Sequence, residues 1–422
     1  MAPSYAGLEV VPNPPPSPTS PLPVPIAGPV VSCAIGGVVG GVVGVVKHKH
    51  KSVQLKASPG SNISDPVPTT KPTPFSPVYK QSDLGNGIGG YDLASTADRS
   101  FAFDYDHSGK LDHIVLYRPG SGAIFIVKNY NGTFAPVYSQ GSGGEGIGGY
   151  DLMSPNDRAF AFDYEHSGKL DYIAFYRGGG GTIWIIGNNN GSFFPVYSGD
   201  DGIGGYDLKS TRDRAFAFDN DHSGKLDYIA VYRPGTGTFW ILGNNNGNFT
   251  PVYSQGDPGL GIGGCDLLST KDSAFAFDYD HSGKMDHIVI YRPGKGSVWI
   301  VKHDGNIFRS AYQQWSPRDG IGGFDLTDSN DSAFTVDYDG TGKQDSLVFY
   351  RPGSGIIRIL NNNNGTFVPV YGKDDSGTGI GGYDLKSTMD LGYALDYKQS
   401  GQLDHIALYR PGAGIFYIVG RL

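Results

Sequence analysis

The sequence predicts an all-β chain, and three observations carry that prediction. One unit recurs six times: the Arg of a Tyr-Arg-(Pro/Gly)-Gly turn stands at positions 118, 177, 233, 292, 351 and 410, at intervals of 59, 56, 59, 59 and 59 residues. So regular a period means a stack or a closed ring of one supersecondary unit. Each unit in turn resolves into four short runs rich in Ile, Val, Phe, Tyr and Trp, bounded by Gly, Asn or Asp. The 422 residues also include 65 Gly, 27 Tyr and 22 Phe, residues of turns and of pleated, half-buried surfaces, and no helical period follows residue 74. Four antiparallel strands repeated about an axis make the blade of a β-propeller. Residues 74–422 are therefore predicted to form a six-bladed β-propeller of four-stranded blades.

The second unit shows the pattern. Strands are expected at 158–163, 172–176, 182–186 and 192–197. The last link, Asn188-Asn-Asn-Gly191, ends in Asn-Gly, a pair that accepts the positive φ of a tight hairpin. The ends of the chain predict closure. The sixth unit stops after its third strand, at Ile415-Phe-Tyr-Ile-Val-Gly-Arg-Leu422. Its missing fourth strand stands before the first unit, where Phe75-Ser-Pro-Val-Tyr79 matches Phe134-Ala-Pro-Val-Tyr138 and Phe367-Val-Pro-Val-Tyr371. Pairing the two would cover sheet edges that an open array would expose.

The first 73 residues have a different character. Of 28 prolines, 16 precede residue 78, and residues 1–25 read as a disordered Pro-rich tail. Residues 26–46 run 21 positions without a charge, the length of a transmembrane helix, with Gly36, Gly40 and Gly44 on one face. Residues 47–73 read as a linker opened by Lys47, Lys49 and Lys51, which by the positive-inside tendency would lie in the cytoplasm. A net charge of −8 speaks against nucleic acid as a partner. The two cysteines, Cys33 and Cys265, sit in unrelated contexts and offer no disulfide framework.

Two repeated constellations carry chemistry. The link between first and second strands has the spacing Asp-x-Asp-x-Ser-Gly-x-x-Asp: Asp104, Asp106, Ser108 and Asp112; Asp219, Asp221, Ser223 and Asp227; Asp278, Asp280, Ser282 and Asp286. Oxygen ligands about a tight Gly turn suit Ca2+. The competing reading has the first Asp cap the turn through backbone amides. His107, His166, His222 and His281 of the same link read as solvated turn residues, and Trp184, Trp240 and Trp299 of the third strand as core between blades.

The second constellation joins the arginine turn to the Gly-Ile-Gly-Gly-Tyr-Asp-Leu link, which propeller topology places on one face. It comprises Tyr91, Asp92 and Arg118; Tyr150, Asp151 and Arg177; Tyr206, Asp207 and Arg233; Asp266 and Arg292; Asp325 and Arg351; and Tyr383, Asp384 and Arg410. Arg and Asp supply paired donors and acceptors for sugar hydroxyls, and Tyr an apolar ring for the C–H face of a pyranose. The competing reading is structural, with Arg pairing a neighbouring carboxylate to pin the two links. A protein-interaction propeller using the same face is the alternative function. No Gly-x-Ser-x-Gly elbow, phosphate loop or His-Glu-x-x-His motif occurs, and near-identical units offer no unique catalytic set, so the chain is expected not to be an enzyme.

The acidic links resemble those of the FG-GAP and VCBS propeller families, including integrin-like heads, which implies calcium. The whole unit, with Phe103-Asp-Tyr-Asp-His-Ser-Gly-Lys-Leu-Asp-His-Ile114 and Leu116-Tyr-Arg-Pro-Gly120, is similar to the VCBS-type repeats of bacterial and fungal propeller lectins, among them the Photorhabdus-type fucose-binding group. That resemblance covers residues 75–422 and implies multivalent binding of fucose-type glycans or glycoproteins. The amino end, Met1-Ala-Pro-Ser-Tyr-Ala-Gly-Leu-Glu-Val-Val-Pro12, is similar to membrane-anchored fungal fucose-specific lectins, which implies a single-pass protein with its propeller outside the cell.

Overall fold

In the second strand of every unit nearly every side chain is apolar, so both of its faces must be covered, and in the fourth only alternate positions need be. The computed structural model, which describes residues 74–422 except 83–84, 142, 257, 306, 315–318 and 373–376, meets both demands. Six four-stranded antiparallel sheets follow one another along the chain, and no described residue is helical. In blade one the strands are Arg99–Phe103, His113–Arg118, Ala123–Tyr130 and Thr133–Gln140. In blade two they are Asp157–Phe162, Tyr172–Arg177, Thr182–Asn189 and Ser192–Gly199, each within a few residues of expectation. The third and fourth strands run longer than the apolar pattern suggests because their ladder continues into the Asn-Gly turn.

Closure is as the sequence predicts. Phe75–Gln81 pairs antiparallel with Ile415–Arg421, from Phe75 opposite Arg421 to Gln81 opposite Phe416, and completes blade six. The first strands of neighbouring blades touch around the axis at five of the seams, blade six against blade one included. The cores lie between blades: Ile114 and Leu116 of blade one pack with Ala407, Phe416 and Ile418 of blade six. In the outer strands, Pro136 of Pro-Val-Tyr sits on the sheet edge, where a missing N–H is tolerated, and Val137 forms a bulge between the Pro136 and Tyr138 pairs. Around the axis, Gly109, Gly168, Gly224, Gly283, Gly342 and Gly401, with Leu111, Leu170, Leu226, Met285, Gln344 and Leu403, line a cavity of about 230 Å³.

The expected span at 26–46 and the flanking tail and linker lie outside the described residues. Among those described, no helix is long and apolar enough to cross a membrane. Cys265 is buried with a free thiol.

Candidate functional site

Each Gly-Ile-Gly-Gly-Tyr link is a two-residue turn. Ile88 and Tyr91 exchange backbone hydrogen bonds of 2.9 and 3.0 Å across Gly89 and Gly90, whose φ values of 58° and 86° suit a turn that needs φ above zero at both central positions. The turn sends successive side chains opposite ways. Tyr91 goes inward, 3% exposed, and donates its hydroxyl to Asp98 at 2.7 Å, whereas Asp92 goes outward with its side chain about half exposed at 53%. Leu93 follows at a φ of 51°, costly for a branched side chain, but it is wholly buried and its carbonyl accepts the amides of Gly412 and Gly414 in the neighbouring arginine turn. The two links therefore share one face, as expected.

Arg118 ends the second strand beneath this turn. Its Nε and Nη2 donate to Asp98 at 2.7 and 2.9 Å, and Nη2 also donates to Asp92. The same fork joins Arg177 to Asp157 and Asp151, Arg233 to Asp213 and Asp207, Arg292 to Asp272 and Asp266, Arg351 to Asp331 and Asp325, and Arg410 to Asp390 and Asp384. The six inner carboxylates are buried. Burial would raise the Asp92 carboxyl, but the Ala94 amide and Arg118 outweigh it and hold it below the usual range. The Tyr91 hydroxyl is pushed far above its ordinary value by burial and by the charge of Asp98.

This geometry corrects one expectation and adds a set of residues. Tyr91, Tyr150, Tyr206 and Tyr383 are buried under the guanidinium groups, each about 5.5 Å from one, and offer no face to a ligand. At the same position Cys265 and Phe324 are buried as well. The inner acids Asp98, Asp157, Asp213, Asp272, Asp331 and Asp390 carry no motif that singles them out in the sequence, although each precedes its arginine by 20 residues.

What the face presents instead is a shallow pocket between the two links, in at least four blades and of about 90 to 170 Å³. In blade two it is lined by Gly149, Asp151, Arg177, Thr182, Trp184 and Asp200, with the edge of Tyr150. Blade one places Phe125 and blade six Tyr417 where blade two has Trp184. A Cβ on Gly149 would come within 3.3 Å of the Trp184 ring, so a glycine there keeps the ring uncovered. The third-strand aromatic packs against the core between blades, as read from the sequence, with Trp299 and Tyr417 buried there, and in blades one, two and six it also lines the pocket. The signal in the sequence is that this position changes among Phe, Trp, Arg and Tyr, whereas the arginine that ends the second strand is the same in all six units.

The opposite face carries the acidic links. Asp104 accepts the amides of Ser108 and Gly109 at 2.9 and 2.7 Å, and Asp219 and Asp278 cap their turns likewise. Asp106 is bound to Lys128 at 2.8 Å and Asp280 to Lys302 at 3.0 Å, which puts an ammonium where a cation would sit. Asp112 and Asp286 lie 2.6 Å from His113 and His287. Asp227 accepts from His166 at 2.6 Å, and Ser108 and Ser282 give their amides to the caps. Asp221 lies at the rim, accepting the Ser223 amide. In blades one and four the lysine occupies a carboxylate that a hard-cation cage, with its six or more converging oxygens, would need; no lysine meets Asp219, Asp221 or Asp227 in blade three among the described residues. The histidines are not merely solvated: His107, His166, His222 and His281 each reach an Asp of the next blade, at 2.6 to 2.7 Å, and clasp four of the six seams.

No protein-family model and no curated protein matches the chain. Similar solved structures include an auxiliary nutrient binding protein from Bacteroides thetaiotaomicron (10% identity, 82% of this chain and 76% of that one, TM-score 0.44). A candidate 6-phosphogluconolactonase from Bacteroides uniformis (10% identity, 63% and 68%, TM-score 0.38) and the periplasmic gluconolactonase of Pseudomonas aeruginosa (10% identity, 63% and 67%, TM-score 0.32) are others. The expectation that the chain is not an enzyme is withdrawn, since proteins named as gluconolactonases stand among its structural neighbours.

Proposed function

We propose that the face bearing the arginine turns binds glycans, one shallow pocket to a blade. The observation that supports this reading is the recurrence of an exposed carboxylate, a fixed guanidinium and an aromatic wall around one small pocket, as in Asp151, Arg177 and Trp184. Arg177 uses Nε and Nη2 within the protein and keeps Nη1 for a ligand. Asp151 has already lost its proton at neutral pH, so it accepts hydroxyls and donates none. The indole gives the C–H face of a pyranose an apolar partner. Fucose-type sugars are the first candidates by the resemblance of the unit. Such pockets bind weakly one at a time, and several on one rigid ring gain roughly 10² to 10⁴ in apparent affinity against a multivalent surface.

The test is a glycan array with the full chain, followed by titration with the monovalent sugar. Binding to arrayed but barely to free sugar, with one site fewer in Trp184→Ala, is the expected result. A chain that ignores every glycan sinks the proposal.

A further inference from the structure

Blade five departs from the other pockets. Its third strand, Ile356–Asn363, carries Arg358 where blades one, two and six place Phe125, Trp184 and Tyr417. Arg358 lines the pocket with Gly323, Phe324, Asp325, Arg351 and Ile356. Its guanidinium lies close over the link, so that a Cβ on Gly323 would meet Nη1 at 2.5 Å. Nε of Arg358 is buried and has no hydrogen-bond partner among the described residues. An orphaned guanidinium donor at a pocket wall is costly unless a ligand satisfies it.

The charges point the same way. In blade two Arg177 is answered by Asp151 and Asp157, with Asp200 also at the pocket, one positive charge against three negative. Among the described residues blade five sets Arg351 and Arg358 against Asp325 and Asp331, two against two. Arg351 is already committed to both carboxylates, through Nε and Nη2. Arg358 has no carboxylate partner among the described residues and so brings the pocket a positive charge that is not already answered, and Asp325 remains at the rim, half exposed, to accept a hydroxyl. Hydroxyl recognition beside a planar guanidinium suits a sugar that carries its own anion.

We infer that the blade-five pocket takes an acidic sugar, a monosaccharide unit bearing a carboxylate or a sulfate, with the anion on Arg358. The sugar part rests on the glycan reading above; the anion part rests on Arg358 alone. A ring of otherwise neutral-sugar pockets with one acidic pocket would select glycans that display both kinds of unit.

The test titrates the full chain with oligogalacturonate, with a sulfated galactan, and with neutral galactan as control, and repeats all three with Arg358→Trp and Arg358→Gln. The first variant installs the residue of blade two, and unchanged binding of whichever neutral glycan the parent retains on an array shows that each variant is folded. Expected is acidic-oligomer binding that weakens as salt is raised and is roughly tenfold to a hundredfold weaker in both variants. Loss of the carboxylate arm alone or of the sulfate arm alone identifies the anion. Acidic-oligomer binding that needs Arg358 while no neutral glycan binds supports the anion site and removes the glycan reading of the other blades. Equal affinity of parent and variants for both acidic oligomers, or displacement by inorganic sulfate at the same concentration as the oligomer, overturns the acidic-sugar pocket.

Discussion

Arg233 reaches past the half-exposed Asp207 to hold Asp213, which is wholly buried, through Nε and Nη2 at 2.7 and 3.0 Å. Asp213 also accepts the Tyr206 hydroxyl and the Ser210 amide, both at 2.9 Å. The arginine is thus the counter-ion of a buried acid before it is anything for a ligand. Removing one partner of such a pair leaves the other charge uncompensated, at a cost of about 3 to 5 kcal/mol. Arg233→Ala is expected to lower stability on that scale, measured by chemical unfolding, with Asp213→Asn recovering part of the loss in the Ala background. An Arg233→Ala chain that unfolds at the parent midpoint would sink the counter-ion role.

Closure of the ring depends on one strand, Phe75–Gln81, far in sequence from the blade it completes. Phe75 packs its ring 5.1 Å from Tyr371, Tyr79 lies 4.9 Å from Phe134, and the strand pairs along Ile415–Arg421. Deleting 75–79 exposes that strand's edge and strips both seams of an aromatic contact. A marked fall in the unfolding temperature, with aggregation, is expected. Melting within a degree of the parent would contradict it.

The seam between blades four and five carries a pH dependence. Burial alone would lower the His281 pKa, but Nδ1 lies 2.7 Å from Asp345 and Nε2 2.9 Å from the Asn362 carbonyl, and the net shift is upward. Only the imidazolium can donate from both nitrogens. A folded-state pKa above the unfolded one means that this contribution is complete below the ordinary histidine value and fades as pH rises through the folded value. His281→Gln, the residue that the sixth unit already carries at Gln399, should flatten the unfolding temperature between about pH 6 and 8 relative to the parent. Parallel pH profiles would show that the clasp does not titrate in that range.

The ring was legible because its signals are periodic and redundant: six copies of each apolar run, and one strand displaced from the end of the chain to its start. The site was legible only in part. That Asp92 and Arg118 meet follows from their links sharing a face, whereas the inward turn of Tyr91 depends on the φ values of Gly89 and Gly90. Asp98 stayed hidden because one acid between strands looks like a turn residue until the partner of Arg118 is known. His107 misled for a related reason: its partner, Asp171, lies 64 residues away in the next blade.

Lys128 decides the ionic character of the acidic link in blade one. Its ammonium lies 2.8 Å from Asp106, and burial of that acid, which would raise its pKa, is outweighed by the lysine, so the carboxyl falls to about 2. Ligand atoms of Asp106, Asp112 and His113 lie within 4.8 Å of one another, with Asp112 and His113 buried. With the lysine in place a divalent cation would have to displace an ammonium already bonded to Asp106, so chelator or added Ca2+ should leave the parent unfolding temperature unchanged. Lys128→Ala removes the competitor and leaves two carboxylates and an imidazole facing one another. That variant is expected to be destabilised in chelator and recovered by a divalent cation, by about 1.4 kcal/mol at ten times the dissociation constant, since the ion binds only the folded link. Zn2+ should act at lower concentration than Ca2+, because a set with one imidazole and two carboxylates is short of the oxygens Ca2+ requires. A parent chain whose unfolding temperature drops on chelation would show that the links hold metal despite the lysine, and that the turn-capping role of Asp104 is incomplete.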